Sequence, residues 1–564
     1  MKTRWLPLLL ILWLATGLRF YRLDAQSFWN DEGNSARLSE RSIPLIIEGT
    51  ASDIHPPLYY LLLHEWRVVV GESEFGLRAF SAFVGVLTVA ATYSLLRIWP
   101  LRLSPAGRYV ALLLTAVHPA LVYYSQETRM YALLAFWAML ASNIFWQWWR
   151  RRRSFGWGAA YVLVTAAGLY THYFYPVVVG VHGLWLAGML WQQEGGNRRF
   201  WQTAVSWAGM IGTAILIYLP WVPIFINQAG GRPGTRLPLT KFLTESGRWL
   251  ALGATIDPKT AVFPLAILAL SLLLALWHYR QQAWVLALPL LLPVLFMYLA
   301  GTTESQFYKF LLIAVPFVAI WAGAGLFAHR TARWQVVVGG VLLAGVLWGN
   351  GRSLYNLYFN PAYARADYRA IAQRIAQDNH PNAGIILDAP NQWEVFTYYH
   401  REGAPVYPIP RGRPNPDSIA AELSTITAQH SRIYALFWGE AQRDPERLVE
   451  KWLDAHAFKA SEEWVGDVRF VVYAVLPKAA SEMTTAVSLP FGSAITLQGY
   501  TLPQNTFTPG DVVPVTLFWQ TAEPLTQRYK IFLHLIDRNG RLVAQRDSEP
   551  GGGLALTTTW SPGE

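Results

Sequence analysis

Two adjacent carboxylates, Asp31 and Glu32, stand in the stretch "SFWNDEGNSARL", shortly after the run "WLPLLLILWLATGL" that carries no charge from Trp5 to Leu18. A pair of this kind can supply a general base, one acid accepting the proton of an attacking hydroxyl. Neighbouring carboxylates resist ionising together, which spreads their proton affinities. Phe28 and Trp29 beside them would desolvate the pair in part and raise its basicity. A reading without chemistry also fits: "ND" is a common start for a short helix, here "EGNSARLSERS".

Other polar residues recur at comparable places. In "DIHPPLYYLLLHEW", Pro56 and Pro57 set up a helix too short to cross a bilayer, so it would lie in the interface and press the acidic loop against it. His55 in that stretch is either a polar anchor or a catalyst. "YYSQETRMYALL" brings Glu127 and Arg129, as a second acid and a phosphate contact or as an ion pair among the belt tyrosines Tyr123, Tyr124 and Tyr131. "ESQFYKFLLIAVP" sets Lys309 at the mouth of an apolar run, where a cation holds a lipid phosphate or snorkels to the interface. His172, in "YTHYF", is the last of the group. The chain has no DxD motif, no Walker loop and no dinucleotide glycine pattern, so no nucleotide cofactor is expected; a divalent metal is left open.

The elements that must position these groups belong to a membrane. Hydrophobic residues make up 53%, charged residues 15%, and the mean hydropathy is +0.22, whereas a soluble domain carries about 25% charged residues. About eleven apolar runs, from Trp5–Arg19 to Trp334–Trp348, have the length of a crossing. The net charge of +10 is spread over short loops between these runs, such as "WWRRRRSFGW". It reads as topology rather than as a nucleic-acid footprint. With Lys2 and Arg4 inside, every short basic loop falls on the cytoplasmic face. The first loop (20–74), the Glu127 turn, the loop 227–260, the Lys309 turn and everything past Trp348 then fall outside. The first run reads as a retained anchor, since no small-x-small cleavage site follows it. Zero cysteines exclude disulfides and thiolate metal sites.

The expected organisation is a polytopic α-helical membrane domain (1–350), a small extracytoplasmic α/β domain (351–480) and a β-sandwich-like module (487–564) that looks incomplete. "ADYRAIAQRIAQDNHPNAGIILDAP" predicts a helix, a turn and a buried strand. Asn539-Gly540 predicts a hairpin turn between two apolar strands.

"WNDEGNSA", "HPPLYYLLLHEW", "GLRAFSAFVGVLTVAATYSLLR", "YSQETRMYALL" and "YKFLLIAVP", in this order, resemble the C-type (GT-C) membrane glycosyltransferases, and within them the bacterial protein O-mannosyltransferase and aminoarabinose-transferase branch. The resemblance covers about Trp5 to Trp348. It implies an inverting enzyme of the plasma membrane that moves a mannose-like hexose or modified sugar from a polyprenyl-phosphate donor. The acceptor is a hydroxyl of a protein, lipid or glycan, on the outer face. Asp31 matches the first-loop acid that serves as catalytic base, and Glu32 is its companion. Glu127 matches an acidic position where relatives often have Asp. Lys309 stands where relatives commonly carry Arg before Tyr; Lys309-Phe310 here offers a point charge in place of a bidentate fork. The β module is similar to extracytoplasmic sandwiches appended to some of these enzymes. Two rival classes stay open: a lipid-linked-sugar transporter or flippase, for which His118 is the nearest intramembrane candidate, and a non-enzymatic glycan-binding scaffold.

Overall fold

The computed structural model describes residues 5–151, 154–194, 198–229, 236–327, 333–475, 480–507, 511–553 and 555–563. Lys2, Arg4, Arg152 and Arg153, invoked above for topology, lie outside them. The chain divides into two compact units. One comprises 1–372 with 391–401 and 465–467, and the other comprises 373–390, 402–464 and 468–564.

The first unit is helical. Helix α1 (Leu6–Phe20) is followed by three short helices, α2 (Asn30–Ser39), α3 (Ile43–Ser52) and α4 (Leu58–Val70). Pro57 is the N-cap of α4, as the double proline predicts, and thirteen residues span only ~20 Å. Helix α5 (Glu74–Ile98) is long and apolar, and Ser73 caps it by accepting from the Gly76 N–H at 3.1 Å. Then come α6 (Pro105–Val117), α7 (Pro119–Ser125) and α8 (Tyr131–Arg150). Among the described residues, five helices are long and apolar enough to cross a membrane, or seven if two bent pairs each count as one span. This is a multi-pass membrane protein. The tally differs from eleven because several apolar runs fold into shorter helices, such as α1 and Phe155–Leu169 with 15 residues each, about 22 Å against the ~30 Å of a hydrocarbon core. Others bend: α6 meets α7 at 45° next to Pro119, and the 3-10 segment Ser305–Ile313 meets Val315–Leu326 at 65° next to Pro316.

In the second unit, residues 373–378, the end of the helix Tyr368–Asp378, lead to a fully buried strand, β1 (Ala383–Asp388), as the sequence predicts. Strands β2 (Val406–Ile409) and β3 (Arg432–Phe437) lie parallel to β1 on either side. Strand β5 (Val468–Ala474) runs antiparallel to β3, with β4 (Phe458–Val465) beyond it. The core under this sheet joins Ile386, Ile433 and Val471 to Leu423 and Leu453 of the covering helices. Further on, β6 (Thr485–Phe491), β7 (Ile495–Thr501) and β8 (Thr516–Thr521) make an antiparallel sheet, and β9 (Ile531–Ile536) with β10 (Leu542–Ser548) makes a hairpin. Its turn is the one predicted at Asn539-Gly540, closed by the Gly540 N–H donating to the Asp537 carbonyl at 3.0 Å.

Candidate active site

The acids stand on the first turn of α2. Trp29 is the N-cap and no side chain caps the helix, so Asn30 and Asp31 do not play the capping role that "ND" suggested. Helix α2 packs closely on the helix Trp393–Tyr399. A Cβ on Gly33 would come 2.3 Å from the Val395 Cα, so only glycine permits this approach.

Asp31 and Glu32 meet different surroundings. Glu32 is sealed, at 0% exposure. Its Oε1 accepts from Arg78 Nε at 2.8 Å and from the Thr128 N–H at 2.8 Å, and its Oε2 accepts from Arg78 NH2 at 2.6 Å. Arg78 also donates to the carbonyls of Leu23, Gln26 and Ser27, which ties the entry of α2 to α5. The Asp31 side chain keeps 32% exposure, with Lys309 Nζ at 3.5 Å and Arg129 NH2 at 3.8 Å from its Oδ2. It is the carboxylate of the group that solvent or substrate can reach.

Burial alone would raise the affinity of Asp31 for a proton, but Arg129, Lys309 and His55 outweigh it and hold the carboxyl below its ordinary value. Glu32 behaves alike, with burial overridden by Arg78 and Arg365. The raised basicity and mutual suppression expected of the pair are therefore corrected: each acid has its own cations. Glu127 goes the other way. It is buried, and desolvation pushes it up to about 7, with Arg365 opposing and Glu32 adding to the rise.

The other predicted residues converge on the same place. Arg129 NH1 donates to the Asp31 carbonyl at 3.1 Å, to Ser35 Oγ at 3.1 Å and to Tyr60 OH at 3.3 Å. His55 Nε2 is 3.4 Å from Arg129 NH2, and its Nδ1 is 3.3 Å from Asp53 Oδ2. Burial lowers the His55 pKa, with the Asp53 carboxylate opposing it. Lys309 lies on the 3-10 segment, its Nζ 4.9 Å from the centre of the Tyr131 ring and 6.0 Å from that of Trp29. His172 sits at the margin: its ring meets Phe310 at 4.6 Å, and its Nδ1 accepts from the Phe174 N–H. His118, the candidate for a transport path, instead bonds the Leu250 carbonyl through Nε2 and caps α7 through Nδ1.

Arg365 joins the site without having been singled out in the sequence. Its NH2 donates to Glu127 Oε1 at 2.6 Å and its NH1 to Glu32 Oε2 at 3.4 Å. Four cations, Arg78, Arg129, Lys309 and Arg365, thus face three carboxylates. Several buried atoms around them make no hydrogen bond: Trp29 Nε1, Glu127 Oε2, Thr128 Oγ1 and Arg129 Nε. An open cavity of about 520 Å³ between α2 and α3 is lined by Asn34, one turn past Asp31, and by Asp53, the partner of His55. Among the described residues no three His, Cys, Asp or Glu side chains are grouped so as to hold a metal ion.

A family model described as dolichyl-phosphate-mannose-protein mannosyltransferase matches residues 48–229. That stretch contains His55, Glu127, Arg129 and His172 and leaves out Asp31, Glu32 and Lys309. No curated protein sequence matches the chain. Among solved structures, ArnT from Cupriavidus metallidurans in the apo state superposes with a TM-score of 0.55 at 15% identity, covering 83% of this chain and 98% of that one. AglB of Archaeoglobus fulgidus, an archaeal oligosaccharyltransferase in complex with an inhibitory peptide and a dolichol-phosphate, gives 0.51 at 11% identity, with coverages of 85% and 75%. The fold is that of the C-type glycosyltransferases. Within this fold α2 carries Asp31 and Glu32, the loop between α3 and α4 carries His55, the α7–α8 turn carries Glu127 and Arg129, and the 3-10 segment brings Lys309.

Proposed function

We propose that this chain is an inverting glycosyltransferase that moves a sugar from a polyprenyl-phosphate donor to an acceptor hydroxyl at the outer face of the plasma membrane. The observation that carries the reading is one partly exposed carboxylate, Asp31, held within 4 Å of two cations, Lys309 and Arg129. The matching family model is that of a mannosyltransferase using a lipid phosphate, and AglB was solved with such a lipid, which supports this donor class. A mannose-like hexose is the sugar that the family model favours.

In this mechanism the acceptor oxygen attacks the anomeric carbon from the side opposite the phosphate. The new C–O bond forms as the sugar–phosphate bond breaks, the hydroxyl proton passes to Asp31, and the bonding pair leaves with the lipid phosphate. Lys309 and Arg129 offset the charge gathering on that phosphate. In the resting site the same cations depress the basicity of Asp31. When they turn to the donor phosphate, that hold weakens and Asp31 becomes the stronger base at the moment a base is needed. General-base help of this kind is worth roughly 10²–10⁴-fold. The cavity beside Asn34 offers room for the acceptor. Glu32, sealed against Arg78, serves as the anchor that fixes α2.

The test is transfer of sugar by the purified protein from polyprenyl-phosphate sugars to candidate acceptors, with cell-envelope glycans compared by mass spectrometry. Asp31→Asn is expected to stay folded and to lose transfer; wild-type turnover in that variant rejects the assignment. Movement of an intact lipid-linked sugar with no transfer would point to a flippase instead.

A further inference from the structure

Glu127 has one oxygen in use and one idle. Arg365 NH2 engages Oε1 at 2.6 Å, whereas Oε2 is buried with no hydrogen-bond partner. A buried charged oxygen left unpaired is costly, and such atoms in native sites commonly await a ligand.

Arg365 is itself held from several sides. Its Nε donates to Tyr123 OH at 3.3 Å, and its guanidinium lies 4.5 Å from the Tyr123 ring centre and 5.4 Å from that of Trp29. Its backbone N–H donates to Gln26 Oε1 at 3.1 Å, and the next carbonyl, of Ala366, accepts from Ser27 Oγ at 2.9 Å. Behind it, Gly466 (φ +68°) runs so close that a Cβ there would stand 2.7 Å from the Arg365 carbonyl oxygen. The guanidinium is thus aimed before any ligand arrives.

We infer that Arg365 is a positioning residue acting through Glu127: it pins Oε1 and leaves Oε2 as an ionised acceptor for a substrate hydroxyl. The inference rests on the reaction proposed above and names a residue and a contact which that reaction did not use. A hydroxyl bonded to a carboxylate is roughly twice as strongly held as one bonded to a neutral acid. The ionised form therefore matters, and it is finely balanced. Asp31 and Glu32 face Glu127 from α2, Lys309 from the 3-10 segment, Tyr123 and Tyr124 from α7, and Arg365 from the stretch after the helix Arg333–Phe359. Burial, Asp31 and Glu32 favour the protonated form, and Arg365 is the largest opposing charge, ahead of Lys309. Removing it shifts Glu127 toward the protonated form.

The experiment compares wild type, Arg365→Gln, Arg365→Lys and Glu127→Gln in the full chain, with kcat/KM followed from about pH 5.5 to about pH 9. Wild type is expected to show an acid limb near pH 7 that moves up by about one unit or more in Arg365→Gln and partly returns in Arg365→Lys. Glu127→Gln is expected to lose about 10- to 100-fold in kcat/KM and to lack the limb. Whether the KM of the donor or of the acceptor rises tells which hydroxyl is held. Two results overturn the inference: an Arg365→Gln variant with lower activity but an unmoved limb, or a Glu127→Gln variant that keeps the limb. A wild type that transfers nothing from any polyprenyl-phosphate sugar defeats the reaction, and the pairing is then read without turnover. The carboxyl band of Glu127, isolated as the infrared difference between wild type and Glu127→Gln, must titrate near pH 7 and move up in Arg365→Gln; an unmoved band overturns the pairing.

Discussion

Replacing the two neighbouring acids one at a time separates chemistry from architecture. Glu32→Gln keeps the shape but removes the charge that meets Arg78, whose side chain is 3% exposed and grips both Glu32 oxygens at 2.8 Å and 2.6 Å. Breaking one side of a buried, hydrogen-bonded pair costs about 3–5 kcal/mol, because the stranded guanidinium has no water to turn to. Asp31→Asn removes contacts of 3.5 Å and 3.8 Å from a carboxylate that keeps 32% exposure, and pairs of that kind are worth about 0–1 kcal/mol. The gap of at least about 2 kcal/mol is roughly a 30-fold difference in the folded-to-unfolded ratio. Thermal unfolding and glycosyl transfer, measured on both variants in one detergent, should show Asp31→Asn melting near wild type with transfer abolished, and Glu32→Gln melting clearly lower. If Asp31→Asn melts as low as Glu32→Gln, or Glu32→Gln matches wild type, the division between a reachable acid and an anchoring one is wrong.

Three more outcomes follow from the same geometry. Gly33→Ala puts a methyl group 2.3 Å from the Val395 backbone; a loss of about 1–3 kcal/mol and reduced transfer are expected, and unchanged melting would mean that α2 does not need this close packing. Lys309→Ala should raise the donor KM about tenfold, with partial recovery in Lys309→Arg, whereas an unchanged donor KM would take Lys309 away from the phosphate. Because the folded-state pKa of Glu32 is depressed, its stabilising effect is present above about pH 4 and fades as pH falls through the folded value. Wild type should therefore lose melting temperature on acidification below about pH 4 more steeply than Glu32→Gln, and parallel curves would contradict the ionised pair.

The sequence carried the class of the fold and the membership of the site better than the state of its charges. Apolar runs and the double proline before Leu58 announce helices through length and breaker chemistry, and Asn539-Gly540 announces its hairpin because few residues suit that turn. Asp31, Glu32, Glu127, Arg129 and Lys309 were legible as one group because each follows or precedes an apolar run at an end that the loop-charge pattern assigns to one face. What stayed hidden depends on partners far along the chain. Glu32 finds Arg78 46 residues later, inside a run that reads only as a span. Arg365 lies in "PAYARADYRA", where nothing but an arginine among tyrosines marks it. The lowered proton affinity of Asp31 could not be foreseen either: flanking aromatics suggest desolvation, and the overriding cations come from other segments. Hydropathy measures apolar content and does not place helix ends, which a bend at Pro119 or Pro316 decides.

Arg365 lies 238 residues beyond Glu127 in the chain. At the usual pace of translation, roughly 5–20 residues per second, some 10–50 s separate the emergence of the acid from that of its arginine. Throughout that interval the nascent protein holds Glu127 without its arginine, so a ribosome stalled ahead of codon 365 would leave a chain in which the acid lacks that partner.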